Sequence, residues 1–161
     1  MELNAYLETE VTESEFNSFH RIPSRNHALL QTRIASILNV KYDDEYSILT
    51  AVDLELPTGK AVPDVAIFPK LLVDWNNDET RMTDPPITAI EIISPRQALT
   101  DLTDKNRTIY FPSGVRSVWI VLPTLKLVQV ILPSGIVHSF QTGILKDPAT
   151  GIEVSLAEIF K

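Results

Sequence analysis
The chain has 161 residues, a net charge of −7 and no cysteine, so disulfides, thiolate metal sites and cysteine nucleophiles are excluded. That charge also argues against a protein that grips nucleic acid through a broad basic surface. No apolar run reaches the roughly 18 residues of a membrane span, and Met1-Glu2-Leu3-Asn4 has neither the basic nor the apolar stretch of a signal peptide. One cytoplasmic domain over 1–161, with no membrane partner, is the expectation.

Thr12-Glu13-Ser14-Glu15 has the spacing of a capping box and predicts a short helix from about Glu13. From Asn26 to Leu38 the residues Leu30, Ile34, Ile37 and Leu38 recur at helical spacing, which predicts an amphipathic helix ending near Asn39 with its stripe against a sheet. Ile48 to Leu56 partly alternates and stops at Pro57-Thr58-Gly59, which predicts a hairpin into Ala61 to Phe68. Residues 69–86 have no period and read as a loop. Ile87 to Ser94 reads as a buried strand stopped by Pro95, and Leu99 to Tyr110 as a helix ended by Pro112-Ser113-Gly114. Strands over Val115 to Leu122, Leu125 to Leu132 and Ile136 to Phe140, then a small helix near Leu156 to Phe160, complete the order. This order predicts an α/β (α+β) fold, a mixed sheet with a helix on each face.

Two acids sit in apolar runs: Asp64 in Ala61-Val62-Pro63-Asp64-Val65-Ala66-Ile67-Phe68, and Glu91 in Ile90-Glu91-Ile92-Ile93-Ser94. Burying a carboxylate costs several kcal/mol unless something compensates it, and a divalent cation is one compensation. Phosphodiester cleavage uses such a cation to stabilise transition-state charge. Lys105, on the helix after the Glu91 strand, is the nearest cation in sequence that could orient water or bond a phosphate. The alternative for Lys105 is a surface pair with Asp101 at i, i+4 spacing. Ser94 is a candidate to hydrogen-bond a ligand carboxylate, although serine before proline most often just ends a strand. Arg21, Arg25, His27 and Arg33 fall in a stretch from His20 to Arg33 that holds no acid, which makes it the candidate for phosphate contacts. His27 is also a candidate to support the site from behind. Asp53 and Glu55 alternate on one strand and read as solvent-exposed; Tyr110 and Trp119 read as core.

Taken together, Asn26-His27, Pro63-Asp64-Val65-Ala66-Ile67, Glu91-Ile92-Ile93-Ser94-Pro95, Asp101-Leu102-Thr103-Asp104-Lys105, Tyr110, Gly114-Val115 and Val118-Trp119-Ile120-Val121-Leu122-Pro123 resemble the Uma-type restriction endonucleases of the PD-(D/E)XK nuclease superfamily. The resemblance covers roughly residues 12–140. It implies a restriction-endonuclease-like core, DNA as substrate and Mg²⁺ or Mn²⁺ as cofactor. Asp64 and Glu91 would be the metal carboxylates, the main-chain carbonyl of Ile92 a third ligand, and Lys105 the catalytic lysine. Double-strand cleavage needs two active sites, so a homodimer follows. Three departures stand out. Ile93 occupies the position two residues after Glu91 where the superfamily carries lysine, Lys105 precedes Tyr110 by five residues where the family usually has four, and Leu122 stands where an Asp is frequent. The competing expectation is a catalytically inactive nuclease-fold domain that binds protein or nucleic acid.

Overall fold
The computed structural model describes residues 22–161. The helix predicted near Glu13 lies outside them, as do His20 and Arg21.

Six strands form one mixed sheet in the order β1-β4-β5-β6-β7-β8. They are β1 (Tyr46–Thr50), β4 (Val65–Pro69), β5 (Thr88–Ile92), β6 (Ser117–Leu122), β7 (Leu127–Ile131) and β8 (Val137–Phe140). Only β5 and β6 run parallel; the other pairs are antiparallel. The period of two along the strands divides the core into two layers. Val65, Ile67, Ile90, Ile92, Trp119 and Val121 point to one side, where Leu30, Ile34 and Leu38 of α1 (Arg25–Tyr42) cover them. Ala66, Phe68, Ala89, Val118 and Ile120 point to the other, with Leu102 and Tyr110 above them.

α1 begins where Ser24 Oγ accepts the His27 N–H at 3.3 Å, an N-cap, and runs to Tyr42, past the expected end at Asn39. The expected strand from Ile48 to Leu56 is broken in two, because Ala51 takes a left-handed φ of 50° between β1 and β2 (Leu54–Leu56). The strand expected from Ala61 to Phe68 is broken likewise, at Pro63-Asp64. The hairpin is therefore a small ribbon of β2 and β3 (Gly59–Ala61), and the main sheet resumes at Val65.

After β5, α2 (Leu99–Lys105) passes into one π-helical turn, Asn106–Tyr110, and a last short helix α3 (Phe111–Ser113), closed by Gly114 at φ 107°. β9 (Ile144–Lys146) and β10 (Glu153–Ser155) form a second ribbon that the sequence reading missed, followed by α4 (Leu156–Ile159) where a small helix was expected. Among the described residues no helix is long and apolar enough to cross a membrane.

Candidate active site
Asp64 is the residue at which β4 has not yet begun, and its side chain takes over where the ladder stops. β4 pairs with β5 from Val65 opposite Ile90, and one step beyond, Asp64 Oδ2 accepts the Ile92 N–H at 2.7 Å. His27, in the first turn of α1, brings Nε2 to 3.1 Å from the same oxygen. The carboxylate beside it, with burial partly opposing, raises the imidazole pKa above its ordinary value. The His27 ring is buried, and its Nδ1 has no hydrogen-bond partner among the described residues.

Glu91 points to the opposite side of the sheet from Ile90 and Ile92, into the layer under α2, and is 4% exposed. Its Oε1 accepts from Lys105 Nζ at 3.0 Å and from Tyr110 OH at 2.5 Å. Burial pushes its pKa up and the nearby Asp64 charge pushes it further, while Lys105 and Tyr110 pull the other way. Glu91 is thus desolvated, and the charge of Asp64 acts against its ionisation.

The five-residue spacing between Lys105 and Tyr110 is resolved by the π turn. On an α-helix, side chains five apart point roughly 140° away from each other. Here the Phe111 N–H reaches back to the Asn106 carbonyl, the wider i→i+5 turn, and both side chains reach one carboxylate oxygen. Lys105 Nζ also lies 5.9 Å from the Tyr110 ring centroid. One inserted residue has been absorbed without losing the shared face. Ile93 is on the same side of β5 as Glu91 and packs into the α2 layer, so a lysine at 93 and Lys105 approach the acid from the same side. The surface alternative for Lys105 fails: its ion pair is with Glu91, not Asp101.

His27, Asp64, Glu91 and Lys105 line one cleft of about 690 Å³. Ser94, Arg96 and Asp101 line it too. Arg96 was not singled out by the sequence reading; its position in the turn closed by the Gln97 N–H on the Ser94 carbonyl puts it on the rim, exposed. Tyr110 was assigned to the core alone, and it is core, but its hydroxyl belongs to the site. Arg33 is not brought to the cleft: its Nη1 donates to the carbonyls of Ile159 and Lys161 at 2.8 and 3.0 Å. Arg25 is exposed at the start of α1, with Nε on Asn26 Oδ1 at 3.3 Å. Asp53 and Glu55 face Arg81 on the surface, away from the cleft.

The donor set suits a hard cation. Asp64 and Glu91 bring two carboxylates to one cleft, and the Asp64 charge acting on buried Glu91 is what a divalent ion would relieve. No group of three His, Cys, Asp or Glu among the described residues forms a complete metal cage. An ion such as Mg²⁺, which keeps several waters, does not require one.

A family model described as "Putative restriction endonuclease", Uma2, matches residues 20–153. The chain belongs to the Uma2 family. Among solved structures it is similar to a crystal structure titled as a "putative nuclease belonging to DUF820" from Anabaena variabilis ATCC 29413, with a TM-score of 0.74 and 23% identity over 86% of this chain and 82% of that one. That likeness shows the fold, the mixed six-stranded sheet flanked by helices. No curated protein matches the chain.

Proposed function
We propose that this Uma2 protein is a metal-dependent DNA endonuclease that hydrolyses phosphodiester bonds at the Asp64–Glu91 cleft. The observation that carries the reading is the convergence of Lys105 and Tyr110 on Glu91 Oε1 in the same cleft as Asp64. A scaffold that needed only a filled interior would place an apolar side chain at 91, since a buried ion pair is often no more stable than a hydrophobic replacement.

In this reading Asp64 and Glu91 hold Mg²⁺ or Mn²⁺, with the Ile92 carbonyl as a third candidate ligand. The bound cation would offset charge on the phosphate and make bound water a better nucleophile. The protein's own groups do the rest. The Ile92 N–H and His27 fix the rotamer of Asp64. Tyr110 fixes that of Glu91. Lys105, part-buried, is a point charge placed to bond a phosphate oxygen or to orient the attacking water. Arg96 on the rim, and Arg25 near it, supply phosphate contacts on a chain of net charge −7.

Cutting both strands of a duplex takes two such clefts, so duplex cleavage carries a homodimer with it. Exposed Leu72, Val73 and Trp75 on the loop after β4 are apolar surface that a second copy would cover.

The test is nicking of supercoiled plasmid in Mg²⁺ or Mn²⁺, beside EDTA and an Asp64→Ala, Glu91→Ala double variant prepared identically. Metal-dependent nicking that disappears in the double variant is the expected result. Equal nicking by both preparations would identify a contaminant. No nicking, with no Mn²⁺ binding by calorimetry, would overturn the reading in favour of a non-cleaving binding domain.

A further inference from the structure
A second groove, of about 560 Å³, opens beside the cleft. It lies past the carboxyl ends of β5 and β6, the one parallel pair, at the foot of α1, the kind of place where α/β folds bind ligands. Ile93, Pro95, Leu122 and Pro123 make its apolar walls, and polar side chains line the rest of it, Arg25, Asn26 and Thr124 among them. His27, Ser94 and Gln97 line both this groove and the cleft, so the two are continuous.

We propose that this groove holds the base of the nucleotide adjoining the scissile phosphate, and that the substrate therefore presents an unpaired base at the cut. The inference rests on the nuclease reading of the neighbouring cleft and names its substrate class.

Three observations support it. First, a cavity that sets apolar walls beside several hydrogen-bonding side chains is the form of a site for a flat, partly apolar ligand with a hydrogen-bonding edge, which describes a nucleobase. Asn26 and Thr124 offer both donors and acceptors to that edge. Second, a protein of net charge −7 offers few phosphate contacts along a duplex beyond those of Arg25 and Arg96, so contacts that do not depend on charge have to add to its affinity. Burial of an unstacked base against the apolar walls of the groove is such a contact. Third, a base inside a duplex is stacked on both faces and paired along its Watson–Crick edge, and it enters a walled groove only by leaving the helix.

The experiment uses the full chain and a short oligodeoxynucleotide with 2-aminopurine at its centre, single-stranded and annealed to its complement, in EDTA so that nothing turns over. The single strand is expected to bind at least about tenfold more tightly than the duplex, with a change in 2-aminopurine emission as the base is taken up. Leu122→Asn, which makes one wall polar without adding charge, is expected to weaken single-strand binding several-fold and to leave duplex binding unchanged. Equal affinity for the two forms, no single-strand binding, or binding with unaltered emission overturns the inference, and these wild-type comparisons stand even if the variant fails to fold. Because binding is read without catalysis, no nicking together with no Mn²⁺ binding, with single-strand binding intact, would remove the nuclease reading and leave the base site.

Discussion

Among the described residues two carboxylates are buried, Glu91 and Asp147, and the chain treats them in opposite ways. Asp147, wholly buried, is saturated: Oδ2 accepts from Ser117 Oγ at 2.5 Å and Trp119 Nε1 at 2.8 Å, and Oδ1 accepts from the Ala149 N–H at 2.8 Å. Ser117 in turn meets Thr88 at 2.7 Å, so the turn after β9 is riveted to the middle of the sheet through neutral donors. Glu91 receives a cation and a phenol on one oxygen, faces a second acid, and is held at a raised pKa. A buried acid whose partners are complete stabilises a fold. One left beside a like charge is kept for something that arrives later.

The largest expected effect separates these two roles. Glu91→Gln keeps an acceptor for Tyr110 and removes the charge. Plasmid nicking should fall by about a thousandfold or more, roughly 4 kcal/mol of lost transition-state stabilisation. Thermal stability at neutral pH should not fall, because a raised carboxyl pKa means that ionisation opposes folding. Asp147→Ala should do the reverse. Stranding the Ser117 and Trp119 donors should cost about 3 kcal/mol, lowering the melting midpoint by roughly 6–12 °C. Nicking by the folded fraction should stay within a few-fold. A Glu91→Gln protein that melts early with normal nicking would merge the two classes and remove the basis for the site.

The same contrast explains what could be read from the sequence. Glu91 was legible because glutamate between isoleucines has no cheap structural explanation, and Asp64 because the run around it is otherwise apolar. Asp147 was not, since Asp147-Pro148 looks like an ordinary turn and its partners come from β6, some 30 residues away in sequence. The sheet and the layer order followed from periodicity. The breaks at Ala51 and at Pro63-Asp64 did not, because nothing in Thr50-Ala51-Val52 announces a left-handed residue. Tyr110 was hidden because an apolar segment conceals a hydroxyl's destination. Lys105 could be named, but its reach could not, since spacing alone implies the wrong face and only the π turn corrects it.

That turn gives the next prediction. Asn106, its first residue, is buried with both amide atoms unpartnered among the described residues, a cost of about 1–3 kcal/mol. Deleting Asn106 should convert the π turn to α and leave lysine and tyrosine four apart, still on one face. Nicking should persist within about tenfold, and stability should rise by about 1 kcal/mol. The milder Asn106→Leu should raise stability with the π turn retained. If deletion abolishes nicking in a protein that folds normally, the π turn itself positions Lys105 and is more than an absorbed insertion.

The smallest expected effect is a slope with pH, and it distinguishes a site waiting for a cation from one already complete. Above about pH 5 ordinary carboxylates are ionised both folded and unfolded, so exposed Asp74, held below its usual pKa by hydrogen bonds from Asn77 and the Asn76 backbone, adds no slope there. Glu91 and His27 both bind protons more tightly in the folded protein. For Glu91 the stability associated with its proton is present below the ordinary glutamate pKa and is lost as pH rises through the raised value. For His27 it is present below about 6.5 and is lost as pH rises through the higher folded pKa. Both therefore lower metal-free stability between about pH 5 and 8, with the same sign. Urea melts in EDTA should show a falling midpoint across that range, and Glu91→Gln should make the fall shallower. Mg²⁺ or Mn²⁺ should restore stability more as pH rises, since a cation competes with the proton on Glu91. A metal-free midpoint that rises with pH would mean that the acids at the cleft are already satisfied, as Asp147 is, and would take away the electrostatic argument for a bound ion.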